Sequence, residues 1–209
     1  MLTSAVITIF SLIVLLFSVI IYELAHGYVA YSLGDPTAKY AGRLTLNPIK
    51  HLDAFGSIIL PLLLYIAGSP FLLGWAKPVP VNPYNLKDKK FGDIKVSIAG
   101  PLSNLLLALF FGIILRFMPV GIIAANEGLG IALNYIVYIN IWLAVFNLVP
   151  VPPLDGSWIL FNLLPSSAEN FKLFMKQYGI IILLFLIMFG GTQIFSYISE
   201  FIFHLITGV

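Results

Sequence analysis

The run that opens this chain, "SAVITIFSLIVLLFSVII" at residues 4–21, carries no charged side chain, and the first lysine or arginine is Lys39. That length and oiliness match the roughly 20 apolar residues that a helix needs to cross a bilayer. Five such blocks can be marked by length and lack of charge, at about 4–30, 55–75, 94–118, 129–149 (resuming at 156–164) and 179–206. The second contains Pro61 and a Gly68-Ser69-Pro70 break. Only 10% of the 209 residues are charged and 60% are hydrophobic, whereas about a quarter of a soluble domain is charged. The chain is therefore expected in the cell membrane, as a multi-pass protein in contact with the lipid bilayer. A net charge of +2 offers no footing for nucleic acid. The N-terminus lacks the basic region that begins a signal peptide, so residues 5–21 read as a retained membrane helix.

Two polar connectors hold most of the charge. In "GDPTAKYAGRLTLNPIKHLDA", 34–54, the period-2 stretch 38–46 between turn residues predicts a short strand or hairpin. The Pro-rich, basic 76–93, "AKPVPVNPYNLKDKKFGD", reads as a surface loop. If each block spans once, Lys77, Lys87, Lys89, Lys90, Lys95, Lys172 and Lys176 fall on one side, with Lys39, Arg43, Lys50 and Arg116 on the other. The positive-inside rule then puts the N-terminus in the cytoplasm, and a re-entrant second block would reverse the parity. The expected fold is an all-α polytopic membrane protein with about five to six transmembrane helices, a short β element after the first helix, and a single membrane-embedded domain over 1–209.

Few ionisable residues interrupt the apolar blocks: Glu23, His26, Asp155, Arg116, Glu200 and His204. Each is costly in hydrocarbon and hence a functional candidate. Arg116 lies near a block end and can snorkel, and Glu200 and His204 lie close to the C-terminus, where water is near. Glu23 and His26, three apart, share a helix face. A Glu-x-x-His pair is half of HExxH, in which two histidines hold zinc and the glutamate activates its water. Two residues alone fit equally a hydrogen-bonded polar pair packing two helices. In "FNLVPVPPLDGSW", 146–158, Pro150, Pro152 and Pro153 break any helix just before Asp155-Gly156. Non-helical backbone at membrane depth is tolerated where it lines a protein-buried or watery cavity, and the alternative is a loop at the membrane surface with a solvated Asp155. In "AGPLSNLLLA", 99–108, Gly100 and Pro101 allow close helix contact or a kink, and Asn104 adds a polar group that could serve as packing glue. With no cysteine, any metal site must be built from His, Asp, Glu or water.

In this order, "ELAHGYVAYSLGDPTAKYAGRLTLNPIKHLD" at 23–53, "AGPLSN" at 99–104 and "NIWLAVFNLVPVPPLDG" at 140–156 resemble the site-2 protease family of intramembrane zinc metalloproteases, in its short prokaryotic form. The resemblance implies a Zn2+ cofactor, a transmembrane or membrane-anchored protein substrate, Glu23 as general base, and His26 and Asp155 as metal ligands. It makes Asn140 and Asn147, seven apart, candidates for orienting the substrate or the Asp155 loop, with Asn104 a further substrate-positioning candidate. The 38–46 strand would offer its edge to an unwound substrate.

One position departs from the family pattern. Where HExxH has its first histidine this chain has Tyr22, and a catalytic zinc keeps three protein ligands plus water. Three readings compete: Tyr22 ligates as phenolate; His51 or His204 substitutes; or metal binding is badly weakened. His51 lies in "NPIKHLD", which resembles the family without any such need, and the third reading is preferred. The expected function is an intramembrane metalloprotease impaired at Tyr22. Against it stands a non-catalytic regulator or scaffold that binds membrane helices on the same fold. A small transporter would show internal repeat symmetry or more intramembrane charge, and neither is present.

Overall fold

The computed structural model describes residues 2–68 and 74–208. It is helical, with α1 Leu2–Ser32, α2 Thr37–Tyr40, α3 Leu60–Ile66, α4 Gly92–Phe117, α5 Val120–Ala125, α6 Glu127–Asn147, α7 Asp155–Leu163, α8 Glu169–Leu186 and α9 Thr192–Thr207. Among the described residues four segments are long and apolar enough to cross a membrane: Ala5–Ser32, Gly92–Phe117, Glu127–Asn147 and Ser166–Thr207. The last is broken between α8 and α9, where Gly190 takes φ +97°.

The central helix is α4. Gly100, Asn104, Ala108 and Gly112 recur every fourth residue and are all buried, which gives α4 a seam of small or compact side chains. Such seams let helices approach closely where lipid supplies no hydrophobic drive. Against this seam Ala108 packs with Val137 and Ile141 of α6, flanked by Ile202 and Ile206 of α9. On its other flank Val96 meets Ala30 of α1 and Leu86. The proline turn before α7 is held by Val151, Phe161 and Met175, which joins α7 to α8.

Three expectations are corrected. Among the described residues there is no strand. The 38–46 stretch begins in the helical turn α2, and Arg43 N–H donates back to the Ala38 carbonyl, so local turns satisfy the backbone that a strand would need to pair. Among the described residues neither the second apolar block nor 156–164, which is the nine-residue α7, forms a helix long enough to cross. A π-helical turn, Ala54–Ile59, leads into α3, which is only seven residues long. The chain then returns to where it started: Trp75 N–H bonds the Gly56 carbonyl at 3.2 Å and Lys77 N–H the His51 carbonyl at 2.9 Å. The Gly68 turn has φ +66°, while Ser69 and Pro70 lie outside the described residues. The charge distribution changes accordingly. Lys39, Arg43 and Lys50 belong to the same end of the molecule as Lys77, Lys87, Lys89, Lys90 and Lys95, since Lys87 N–H also donates to the Leu33 carbonyl at 2.8 Å. Arg116 marks the opposite end, bonded to the Leu205 carbonyl beside the α9 terminus at 3.1 Å.

Asp35 pins the two connectors together. It is fully buried, and its carboxylate accepts from Thr37 N–H at 3.1 Å, Thr37 Oγ1 at 2.5 Å, Asn82 N–H at 2.7 Å and Asn85 Nδ2 at 2.8 Å. Burial pushes its pKa up, but the bonds to Thr37, Asn85 and Asn82 outweigh that and hold it below the usual carboxylate range. Hydrogen bonds to a charged group are worth about 1.5–3 kcal/mol each in favourable cases, and Asp35→Ala strands several donors at once. Asp35→Ala is therefore expected to lower the detergent-solubilised melting temperature clearly at neutral pH. Because the folded pKa is depressed, the stabilising contribution is full above the unfolded value of about 3.9 and is lost as pH falls through the folded value. The gap between wild type and Asp35→Ala should hold from pH 7 to 5 and narrow only at lower pH; a gap that is constant down to pH 2.5 would count against this assignment.

Candidate active site

Helix α1 carries Tyr22, Glu23 and His26 within little more than one turn of a single apolar rod. Tyr22 and His26, four apart, are each 8% exposed, and their rings meet edge-on with centroids 4.8 Å apart. Asp155 is delivered from elsewhere. The chain leaves α6 at Asn147, turns through the Pro150–Pro153 segment with a cis Pro152–Pro153 bond, and restarts as α7 at Asp155. Gly156 makes this turn possible, since a Cβ there would collide with the backbone of Leu148 and Val149.

The two elements meet at one carboxylate oxygen. Tyr22 O–H donates to Asp155 Oδ2, and His26 Nε2 lies 3.0 Å from the same oxygen. His26 Nδ1 faces the Val96 carbonyl at 2.6 Å. A carbonyl can only accept, so Nδ1 carries a proton and the ring is held with Nε2 toward Asp155. Gly100 lies directly behind, where a Cβ would run into His26 Nε2 and Tyr22 Cζ. Glu23, on the same cavity, accepts from Val79 N–H at 2.6 Å. Tyr22, Glu23, His26, Val79, Asn147 and Asp155 share a cavity of about 460 Å³.

One wall of the cavity, bonded to α1, is an irregular strap, residues 77–82, "KPVPVN". Lys77, Val79 and Asn82 each precede a proline, and the residue before a proline is driven to extended backbone. The strap is tied down by donors spaced along it: Lys77 N–H to the His51 carbonyl, Val79 N–H to Glu23 and Asn82 N–H to Asp35. Arg43 reaches the same strap, with Nη2 at 2.5 Å from the Lys77 carbonyl.

The structure thus brings Tyr22, Glu23, His26, Asp155 and Asn147 together. It places Asn140 and Asn104 deeper in the bundle, away from the cavity lining: Asn140 Nδ2 bonds the Ile136 carbonyl at 2.8 Å, and neither amide atom of the fully buried Asn104 has a partner among the described residues. Asn147 Nδ2 bonds the Leu143 carbonyl at 2.9 Å, leaving its oxygen toward the cavity side of α6. His51 spends Nε2 on the Thr45 carbonyl at 2.7 Å and does not line the cavity, so it replaces no ligand. His204 stands beside Phe203 near the end of α9. The backbone groups of Val79 and Val96 are as much part of the site as the side chains, and residue type alone gives no hint of either. The triple X-Pro pattern of 77–83 is the one signal in the sequence for an extended segment there.

These residues fall short of a zinc site. His26 Nε2 and Asp155 Oδ2 are suitable donors with a suitable brace at Nδ1. The third donor is a phenol whose proton lies on the Asp155 oxygen that a metal would need. Among the described residues no three His, Cys, Asp or Glu side chains converge as a metal-binding group.

Comparison with known proteins bears on what this arrangement serves. The model of peptidase family M50 matches residues 118–190. The Bacillus subtilis protein named "Putative zinc metalloprotease YwhC" is 42% identical over 190 residues, 89% of this chain and 82% of that protein. The Mycolicibacterium smegmatis protein of the same designation, Rip2, is 29% identical over 83% of this chain, which spans 64% of Rip2. "Zinc metalloprotease MJ0392" of Methanocaldococcus jannaschii is 28% identical over 77% of this chain and 36% of that protein. No solved structure matches the chain.

Proposed function

From the premise that this chain belongs to peptidase family M50, the site-2 proteases, we propose that it is a membrane-embedded metalloprotease of membrane-anchored proteins, impaired at Tyr22. The single domain over 1–209 carries Glu23 as the general base, and His26 and Asp155 as the two remaining ligand positions. Asn147, at the cavity, is the candidate for orienting substrate. The family's chemistry rests on a zinc ion that supplies Lewis acidity and an activated water; in this chain the donor set is one short. The observation that carries the impairment is the Tyr22 O–H bond to Asp155, which consumes a ligand oxygen.

The test is cleavage of a model transmembrane substrate in mixed proteoliposomes by this chain and by Tyr22→His. Cleavage by Tyr22→His alone supports the reading. Equal cleavage by both shows that Tyr22 does not impair the site. With cleavage by neither, the protease reading fails and a helix-binding scaffold takes its place.

The end that holds the site also holds Lys39, Arg43, Lys50, Lys77, Lys87, Lys89, Lys90 and Lys95, and by the positive-inside rule it faces the cytoplasm. The start of α1 then lies outside, the reverse of the reading in which every block spans. The chain has no cysteine, so single substitutions report cleanly. In intact cells an impermeant maleimide should label Ala125→Cys and spare Lys89→Cys; the opposite pattern would invert the topology.

A further inference from the structure

Arg43 is the residue whose position the assigned roles do not explain. It is 6% exposed, and among the described residues no carboxylate forms an ion pair with it. A buried, unpaired charge is among the costlier things a fold can contain. Among the described residues its guanidinium makes one hydrogen bond, from Nη2 to the Lys77 carbonyl at 2.5 Å, and its Nε has no partner. That carbonyl belongs to the strap, two residues before the amide that holds Glu23. The Lys77 peptide is gripped from both sides, its N–H by the His51 carbonyl at 2.9 Å and its C=O by Arg43. Pro78 separates this grip from Val79, whose N–H reaches Glu23 Oε2 at 2.6 Å. Proline has a fixed φ, so there is little slack between the fixed Lys77 carbonyl and the Val79 N–H.

We propose that Arg43 is a positioning residue for Glu23: by fixing the Lys77 carbonyl it aims the Val79 N–H at the Glu23 carboxylate and so sets where that carboxylate stands in the cavity. The guanidinium does not line the cavity and touches no reacting atom. It acts through three residues of backbone, on the far side of the strap from the substrate space.

The inference rests on the reading of Glu23 as the base for its catalytic meaning, but the clamp itself can be tested without activity. Pro78, Pro80 and Pro83 carry no amide hydrogen, so the strap contributes only the amides of Lys77, Val79, Val81 and Asn82. Hydrogen exchange of the purified full chain in detergent is read on a peptic peptide covering the strap, with residue resolution from overlapping fragments. Glu23→Ala should speed exchange at Val79 at least about tenfold and leave Lys77 protected. Arg43→Gln should speed both, and Arg43→Lys, which restores charge and a donor, should recover at least half of the protection at Val79. Protection across 99–108 in the same digest shows that the bundle is intact; if Arg43→Gln unfolds it, the Arg43→Lys and Glu23→Ala measurements decide the matter.

In a Tyr22→His background, Arg43→Gln should keep zinc content unchanged while lowering kcat about tenfold or more, with KM within about twofold. Val79 exchange that is indifferent to Arg43→Gln and Arg43→Lys overturns the proposal, as does a loss of activity confined to KM. If Tyr22→His binds no zinc and cleaves nothing, the protease reading fails, while the exchange data still decide whether Arg43 sets Glu23.

Discussion

Replacing Tyr22 by histidine is expected to raise the zinc affinity of this protein by at least about 100-fold. Losing even a group that merely braces a ligand costs about 10–100-fold in affinity, and here a ligand itself is in question. The position is geometrically right, since residue 22 sits four before His26 on α1 and its ring already packs edge-on against the His26 ring beside Asp155. An imidazole there would supply a third donor, completing three protein ligands with a fourth position open. It would also remove the phenol proton from Asp155 Oδ2. A phenol has an ordinary pKa near 10 and must be ionised to ligate, which adds to the disadvantage of the tyrosine. Competition titration against a chromophoric chelator, with metal content by mass spectrometry, reads this directly. Tyr22→His should hold about one zinc per chain under conditions that leave the parent largely empty. If the parent already binds one zinc as tightly, Tyr22 is itself a ligand.

The second large effect is expected at Gly156. A Cβ there meets the Leu148 carbonyl oxygen and carbon and the Val149 carbonyl oxygen, all backbone. No side chain can swing aside to make room, so the α6–α7 turn must open and carry Asp155 with it. Overpacking typically costs about 1–3 kcal/mol, occasionally more, and a collision of backbone with backbone belongs at the upper end. Gly156→Ala should lower the melting temperature and, in the Tyr22→His background, remove zinc binding together with cleavage. The control is Ser157→Ala, one residue on, where the hydroxyl only bonds the Leu154 carbonyl at 2.7 Å. It should retain zinc. A Gly156→Ala chain of parental stability with bound zinc would show that the turn has more room than the structure gives it.

The sequence made some of this legible because chemistry in hydrocarbon is conspicuous. Glu23, His26 and Asp155 stand out as charges in apolar blocks, and Asp155 follows a proline run that no helix can accommodate. The helices themselves follow from the same apolar lengths. The 38–46 segment misled because alternation is a weak signal over so few residues, and the local turn from Ala38 to Arg43 won over strand pairing. The second block misled because apolarity does not distinguish a segment whose two ends lie together from a helix that crosses. What the sequence could not display is the strap. Its contribution is made by backbone N–H groups, which every residue but proline possesses, so nothing in the type of Val79 or Val96 announces a role.

The prolines of the strap bear on how a proteolytic site coexists with its own chain. On the proposed reading the site takes unwound peptide as substrate, and the strap keeps a stretch of irregular chain along its wall beside Glu23. The Lys77–Pro78 and Val79–Pro80 bonds are tertiary amides, and neither proline has an N–H to offer an incoming partner strand. Of the N–H groups that remain, those of Lys77, Val79 and Asn82 are already bound to His51, Glu23 and Asp35. The wall of the cavity is thus built from backbone with few free donors, poorly suited to pairing with an incoming strand.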